Sequence, residues 1–308
     1  MNLIICCTPL QVLIAEKIIA QFPETEFYGV MLATVSNKKF DFYRQRLAQK
    51  CGPFFTMIQH NDRFNLLKEI VYLKSKFCGK KFDQVFVANI NDLQIRFLLS
   101  AIKFNQLNTF DDGTINIVKN SMFYQDDPPT LKRKCINVLF GNKYGIQQLR
   151  ALSQRHYTIY HGFKNIVDNV ENLNLVEHCD VQTVDTDYIN VLLGQPIFLD
   201  DQRNIALAEQ VIKRFNIHYY LPHPREKYHL ENVEYIETEL IFEDYIIQQC
   251  KTKKYRIYTY FSSAIINIMN KSANIDVVAL KIATENPAYD ACYDLFDELG
   301  INVIDIRE

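Results

Sequence analysis

At 308 residues the chain exceeds what one hydrophobic core usually supports, so two domains or one large α/β unit are expected. Its 48% apolar content describes a folded globular protein, and a formal net charge of -2 excludes the bulk basic excess of a nucleic-acid binder. The clusters Lys74, Lys76, Lys80, Lys81 and Lys132, Arg133, Lys134 read first as solvated helix faces, and second as attraction to an anionic membrane surface.

The N-terminal stretch MNLIICCTPLQVLIAEKIIAQF lacks a basic leader, and Thr8, Pro9, Gln11, Glu16 and Lys17 interrupt its apolar run. It therefore fits neither a signal peptide nor a spanning helix, which needs about 20 apolar residues in succession. It reads as a buried strand from Leu3 to Cys6, a turn at Thr8-Pro9 and a helix from Leu10 to Ala20. Strand-then-helix recurs in EFYGVMLA followed by KFDFYRQRLAQK, and in QVFVANI followed by NDLQIRFLLSAIKF. A further strand ends at Phe110, immediately before Asp111, Asp112 and Gly113. Short continuous apolar runs alternating with helical patterns predict a parallel sheet covered on both faces.

From about Arg133 to Asp187 the periodicity weakens; GIQQLRALSQRH reads as a helix and YTIYHGF as a crossing between domains. A second series then begins. YINVLLG, IHYYLP, YRIYTYF, IDVVALKI and NVIDI read as strands, separated by helices that include one opening at Asp200 or Asp201, ELIFEDYIIQQC, SSAIINIMN and PAYDACYDLFDELG. The expected architecture is α/β, two Rossmann-like domains facing across a cleft, with a boundary at 185/186. The eight cysteines show no metal-ligand spacing and are expected to be reduced, mostly buried thiols of a cytoplasmic protein.

Ligands of open parallel sheets bind outside the carboxyl ends of the strands. That rule selects Thr8, Pro9 and Gln11, then Asn89, then Asp111 and Asp112; in the second series it selects Gly194, Gln195, His223, Pro224, Ser262 and Ser263. Each has a plainer reading. Asp111-Asp112-Gly113 suits a tight turn, His223 sits rigidly between two prolines, and Ser262 or Ser263 would cap the following helix. A capped helix N-terminus also suits an anion, and Glu243, on an acidic helix face by default, would suit a ribose diol. No G-x-G-x-x-G, P-loop or G-x-S-x-G sequence occurs, and the D-x-D at Asp185-Thr186-Asp187 precedes a strand instead of following one. A metal-independent transfer from a nucleoside monophosphate donor fits what remains.

FDDGTINI, LPHPRE and YFSSAI, in this order and after a CTPLQ start, resemble the acidic-pair, His-Pro and Ser-Ser motifs of the bacterial lipooligosaccharide sialyltransferase family, over essentially the whole chain. The resemblance implies the GT-B arrangement, an acceptor-binding domain over 1–185, a donor-binding domain over 186–308 and inversion at the anomeric carbon. It implies CMP-sialic acid as donor, a galactose-terminated glycolipid as acceptor, and no cofactor or metal. One carboxylate of the Asp111-Asp112 pair would be the general base, Asp112 being favoured because Asp111 lies closer to the strand and its turn, with Asp111 the alternative; His223, Ser262 and Ser263 would bind the phosphate and stabilise the leaving group, and Glu243 would bind the ribose. Gly194, Gln195 and Pro224 fall on the donor side, and Thr8, Pro9, Gln11 and Asn89 on the acceptor side. The resemblance also allows a homodimer and a peripheral position on the inner membrane. Two alternatives stand beside it: a same-architecture transferase with another nucleotide-sugar donor, and a non-catalytic sugar-nucleotide binding paralogue.

Overall fold

A computed structural model describes residues 1–60, 62–118, 121–125, 130–175, 187–223, 226–269, 271–284 and 287–307. The chain divides into two compact units, Met1–Leu175 and Val176–Glu308. The expected boundary at 185/186, Asp185 and Pro224 lie outside the described residues.

The first unit runs β1 (Asn2–Cys6), α1 (Pro9–Ala20), β2 (Phe27–Ala33), α2 (Lys38–Lys50), β3 (Phe54–Ile58), α3 (Arg63–Phe77), β4 (Lys81–Val87), α4 (Leu93–Ala101), β5 (Lys103–Phe110), α5 (Leu131–Leu139), α6 (Ile146–Leu152), β6 (Ser153–Thr158) and β7 (Val170–Asn172). Its strands pair in parallel in the order β3-β2-β1-β4-β5-β6-β7. β1 is buried along its whole length because both sheet faces are covered, which is why its sequence NLIIC does not alternate. Leu3 and Ile5 join Val30, Val85, Leu98 and Leu107 in the core.

The second unit runs β8 (Tyr188–Leu193), α7 (Asp201–Arg214), β9 (Tyr219–Leu221), β10 (Glu234–Tyr235), α8 (Phe242–Gln249), β11 (Lys254–Thr259), α9 (Ala264–Ile268), β12 (Ile275–Lys281), α10 (Pro287–Glu298) and β13 (Asn302–Asp305). Its parallel sheet has the order β10-β9-β8-β11-β12-β13, around a core that includes Leu192, Val211, Tyr220 and Leu280. Strand order reverses between β1 and β4 in the first sheet and between β8 and β11 in the second. Such reversals open a crevice at the carboxyl edge of the sheet, and most of the selected residues follow the strands around them.

Three expectations are corrected. GIQQLRALSQRH does not form one helix, because the chain leaves α6 after Leu152 and Ser153–Thr158 pairs with β5. There the hydroxyl of Thr109 bonds Ser153 Oγ at 2.9 Å and His156 Nδ1 at 2.8 Å, partners that a continued helix would forgo. YTIYHGF does not cross between domains; Tyr157, Ile159 and Tyr160 are buried within the first unit. Among the described cysteines Cys6, Cys7 and Cys250 are buried, but Cys78 and Cys135 are exposed. β3, α3 and β7 join the elements expected from the sequence.

Candidate active site

In the first unit, the turn after β5 separates two adjacent carboxylates by environment. Asp111 has no exposed surface. Its Oδ1 contacts His156 Nε2 at 2.9 Å and accepts from Asn165 Nδ2 at 3.3 Å, while Oδ2 accepts from the Ile159 amide at 2.6 Å. This carboxylate fastens β5 to β6 and to the loop beyond it. Asp112 is only partly buried. Its amide donates to Asn116 Oδ1 at 2.6 Å, and Gly113 follows with φ of 73°, a left-handed conformation that glycine adopts without strain.

Gln11 aims the Asp112 side chain. The buried amide group of Gln11 accepts at Oε1 from the Cys7 amide at 2.5 Å, which turns Nε2 outward to donate to Asp112 Oδ1. Burial raises the Asp112 pKa to about 6 from the usual 3.8; the Gln11 hydrogen bond opposes that rise, and the neighbouring charges of Asp92 and Asp111 add to it. A carboxylate in this range is ionised at neutral pH yet basic enough to take a proton from a hydroxyl.

The other selected residues of this edge shape backbone. Thr8 caps α1, accepting from the Gln11 amide at 3.4 Å, and Pro9 occupies the first turn. Asn89 Oδ1 accepts from the amides of Asn91 and Asp92 at 3.0 and 2.9 Å, forming the turn that leads to the Asp92 cap of α4.

The second unit repeats the geometry at its own reversal. Gln195, just beyond β8, reaches the end of β11, where its Oε1 accepts from Thr259 Oγ1 at 2.9 Å, the Tyr260 amide at 3.2 Å and the Phe261 amide at 3.1 Å. That bridge fixes the loop presenting Ser262 and Ser263. Ser262 Oγ accepts from the Ala264 amide at 3.3 Å, whereas Ser263, exposed at the N-cap position of α9, makes no side-chain capping bond. The capping expectation thus separates: Ser262 is spent on the turn, and the Ser263 hydroxyl is presented to solvent.

Gly194 is required by close approach, since a Cβ there would lie 2.3 Å from Tyr220 Oη and 2.6 Å from Glu226 Oε2. Glu226 Oε2 accepts from Tyr220 Oη at 2.7 Å and from the His223 amide at 3.4 Å, so it braces the turn that carries His223. Glu243 is buried on α8, where its Oε1 accepts from Asn267 Nδ2 at 2.8 Å; the default of an exposed acidic helix face is overturned. A cavity of about 540 Å³ opens beside the serine loop, lined by Ile197, Phe198, Arg203, Thr284 and Tyr289 among others. Tyr289 stacks on Phe261 with ring centroids 3.8 Å apart.

The structure adds positioning groups that the strand-end rule did not select: His156, Asn165 and Asn116 around the carboxylate pair, and Tyr220, Glu226 and Thr259 in the second unit. Asn116 and Glu226 had a visible signal, through their places in FDDGTINI and LPHPRE.

A family model described as Glycosyltransferase family 52 matches residues 24–284. The chain is 78% identical over 308 residues, covering 100% of both chains, to a CMP-N-acetylneuraminate:beta-galactoside alpha-2,3-sialyltransferase of Pasteurella multocida. It is 38% identical to an N-acetyllactosaminide alpha-2,3-sialyltransferase of Haemophilus influenzae, covering 98% of this chain and 99% of that one. A protein of the same description from Neisseria meningitidis is 32% identical over 98% of this chain and 85% of its own length. Among solved structures, TcCGT1 in complex with UDP superposes with a TM-score of 0.55 at 8% identity, covering 100% of this chain and 85% of that one. The glycosyltransferase SnogD from Streptomyces nogalater gives 0.52 at 9% identity, with 100% and 87% covered. These likenesses show the GT-B fold, two Rossmann-like domains in one chain.

Proposed function

We propose that this chain, which belongs to glycosyltransferase family 52, is a sialyltransferase that moves sialic acid from CMP-sialic acid to a terminal galactose, forming an α2,3 linkage with inversion. The observation that carries the reading is the 78% identity, over the whole of both chains, to an enzyme described by that donor, that acceptor and that linkage. The glycan is taken to be of the lipooligosaccharide type.

In this reading Asp112 is the general base. Gln11 holds Oδ1, so Oδ2 is offered to the acceptor hydroxyl. Its neighbour cannot serve, because both oxygens of Asp111 are engaged inside the protein. Loss of CMP from a tertiary anomeric carbon develops positive charge on the sugar and negative charge on the phosphate. Donors aimed at the phosphate therefore stabilise the transition state more than the ground state. Ser263, Ser262 and His223 take that role, and the cavity lined by Tyr289 receives the nucleoside. Its size falls within the range of small-molecule sites. Glu243 as ribose ligand requires Asn267 to share Oε1. Because the leaving charge is met by hydroxyl and imidazole donors, the reaction needs no metal.

Incubation with CMP-sialic acid, with and without lactose and in the presence of EDTA, tests this directly. CMP release should rise on adding lactose, survive the chelator and yield an α2,3-linked product by NMR. Absence of CMP release, turnover only with a UDP-sugar, or dependence on added magnesium or manganese would overturn the corresponding part.

A further inference from the structure

We infer that Arg203 of the second unit receives the carboxylate of the donor sugar and so selects a sialyl donor over one with a neutral sugar; the inference rests on the proposed function. The cavity beside the serine loop has two unlike walls. Tyr289, stacked on Phe261, makes an aromatic one that suits a nucleoside. Phe198, Asp200 and Arg203 make the other, and Arg203 is the only cation among the described lining residues. Its guanidinium carbon lies 4.0 Å from the Phe198 ring centroid, and among the described residues it makes no hydrogen bond or ion pair. Stacking occupies one face of the guanidinium and leaves the in-plane N–H groups to a ligand.

A buried side chain builds this wall. Asn204, next to Arg203 on α7 and 2% exposed, accepts at Oδ1 from the Ile197 and Phe198 amides at 3.0 and 2.9 Å, and its Nδ2 donates to the Phe198 carbonyl at 2.9 Å. Three bonds thus hold the loop of Phe198 against the helix of Arg203. Asp200 Oδ1 accepts from the Gln202 amide at 2.9 Å and caps that helix; it is the one acid among the described lining residues and is not paired with Arg203. A planar, charged and unused fork on a fixed support is preorganised for a bidentate carboxylate. The donor supplies one. In CMP-sialic acid the carboxylate and the phosphate oxygen are substituents of the same anomeric carbon, so a phosphate held by Ser262 and Ser263 brings the carboxylate to the same cavity. Hydroxyls and imidazole take the phosphate in the proposed mechanism, and Arg203 takes the charge that remains. Holding both substituents fixes which face of the anomeric carbon meets the acceptor. The carboxylate carries the same charge in ground and transition states, so the contact contributes to KM more than to kcat.

Transfer to lactose, with CMP as a competing inhibitor that lacks the carboxylate, tests it on the full chain. Arg203→Gln should raise KM for CMP-sialic acid about 10- to 100-fold and change kcat by less than about threefold. The inhibition constant of CMP should stay within about twofold of the unaltered value, which also shows that the variant is folded. Arg203→Lys keeps the charge without the fork and should recover only part of the loss. If Arg203→Gln weakens CMP as much as CMP-sialic acid, Arg203 grips the nucleoside and the inference fails. It fails equally if the variant leaves both constants unchanged, because the guanidinium then only covers Phe198. An unaltered chain that releases no CMP would overturn the functional reading and this inference together, whereas an active chain indifferent to Arg203 overturns this inference alone.

Discussion

Two glutamines occupy the same topological place in the two units and do opposite work. Gln11 follows the strand at the first sheet's reversal, Gln195 the strand at the second's, and each extends its amide toward the end of a strand on the other side. Gln11 anchors its own carbonyl oxygen on Cys7 and offers its NH2 group to a carboxylate. Gln195 instead spends its carbonyl oxygen on three donors of the facing loop. In the proposed mechanism, the first aims the general base, whose energy must be tuned. The second immobilises the loop whose donors, in the same mechanism, act when the phosphate arrives. A base must be pre-positioned and partly desolvated before substrate binds, whereas phosphate donors need only be held in register.

The largest effect should come from what Gln11 aims. Asp112→Asn should lower turnover by roughly 10²–10⁴ while CMP binding persists, measured by initial rates and by calorimetric titration of CMP. The same variant should gain stability at pH 7. A folded-state pKa of about 6 against 3.8 means the folded chain holds this proton more tightly than the unfolded chain, so stability falls as pH rises through that window. Removing the charge should recover up to about 3 kcal/mol, read as a higher urea midpoint. A variant of unchanged turnover would move the base elsewhere.

On the donor side, His223→Ala should cost on the order of 3 kcal/mol in the transition state, about a hundredfold, in both transfer to sugar and hydrolysis of CMP-sialic acid by water. Asp112→Asn should lose transfer more than hydrolysis. If His223→Ala hydrolyses donor at the unaltered rate, His223 merely occupies its turn.

Gln195→Ala should act through the loop. Losing a shared acceptor should cost about 1–3 kcal/mol of stability and raise KM for CMP-sialic acid about tenfold, with a smaller change in kcat. An unchanged KM would mean that the loop holds its shape without this bridge. The smallest effect belongs to Gln11→Ala. Without its donor the Asp112 pKa should move above about 6, so the acidic limb of the kcat/KM profile should shift upward, with a few-fold loss near pH 6 and little at pH 8. A limb that stays in place would separate Gln11 from the base.

The order of strands and helices was legible because continuous apolar runs such as LIIC and VLLG leave few other readings. The strand-end rule then located both edges. It could not show that Gln11 meets Asp112, a contact between residues 101 positions apart that spans β4. Nor could it separate Asp111 from Asp112 by environment, since burial of one depends on His156 and Asn165 arriving from a strand and loop read as helix and linker. Polar residues at the start of β6 hid that strand, as its hydroxyl and imidazole bonds form only after pairing with β5. Glu243 illustrates the same difficulty, because its burial follows from α8 packing beside Asn267.

The division of labour between Asp111 and Asp112 has a consequence for inheritance. With Asp112 as the proposed base, a copy of the gene released from catalysis would let that position drift, because burial disfavours the charge it carries. Asp111 would still be purged of change, since loss of either oxygen's partners strands buried donors on His156, Asn165 and the Ile159 amide. Two neighbouring positions would then decay at different rates, and a descendant that keeps the first acid while losing the second would be a folded relic of the enzyme.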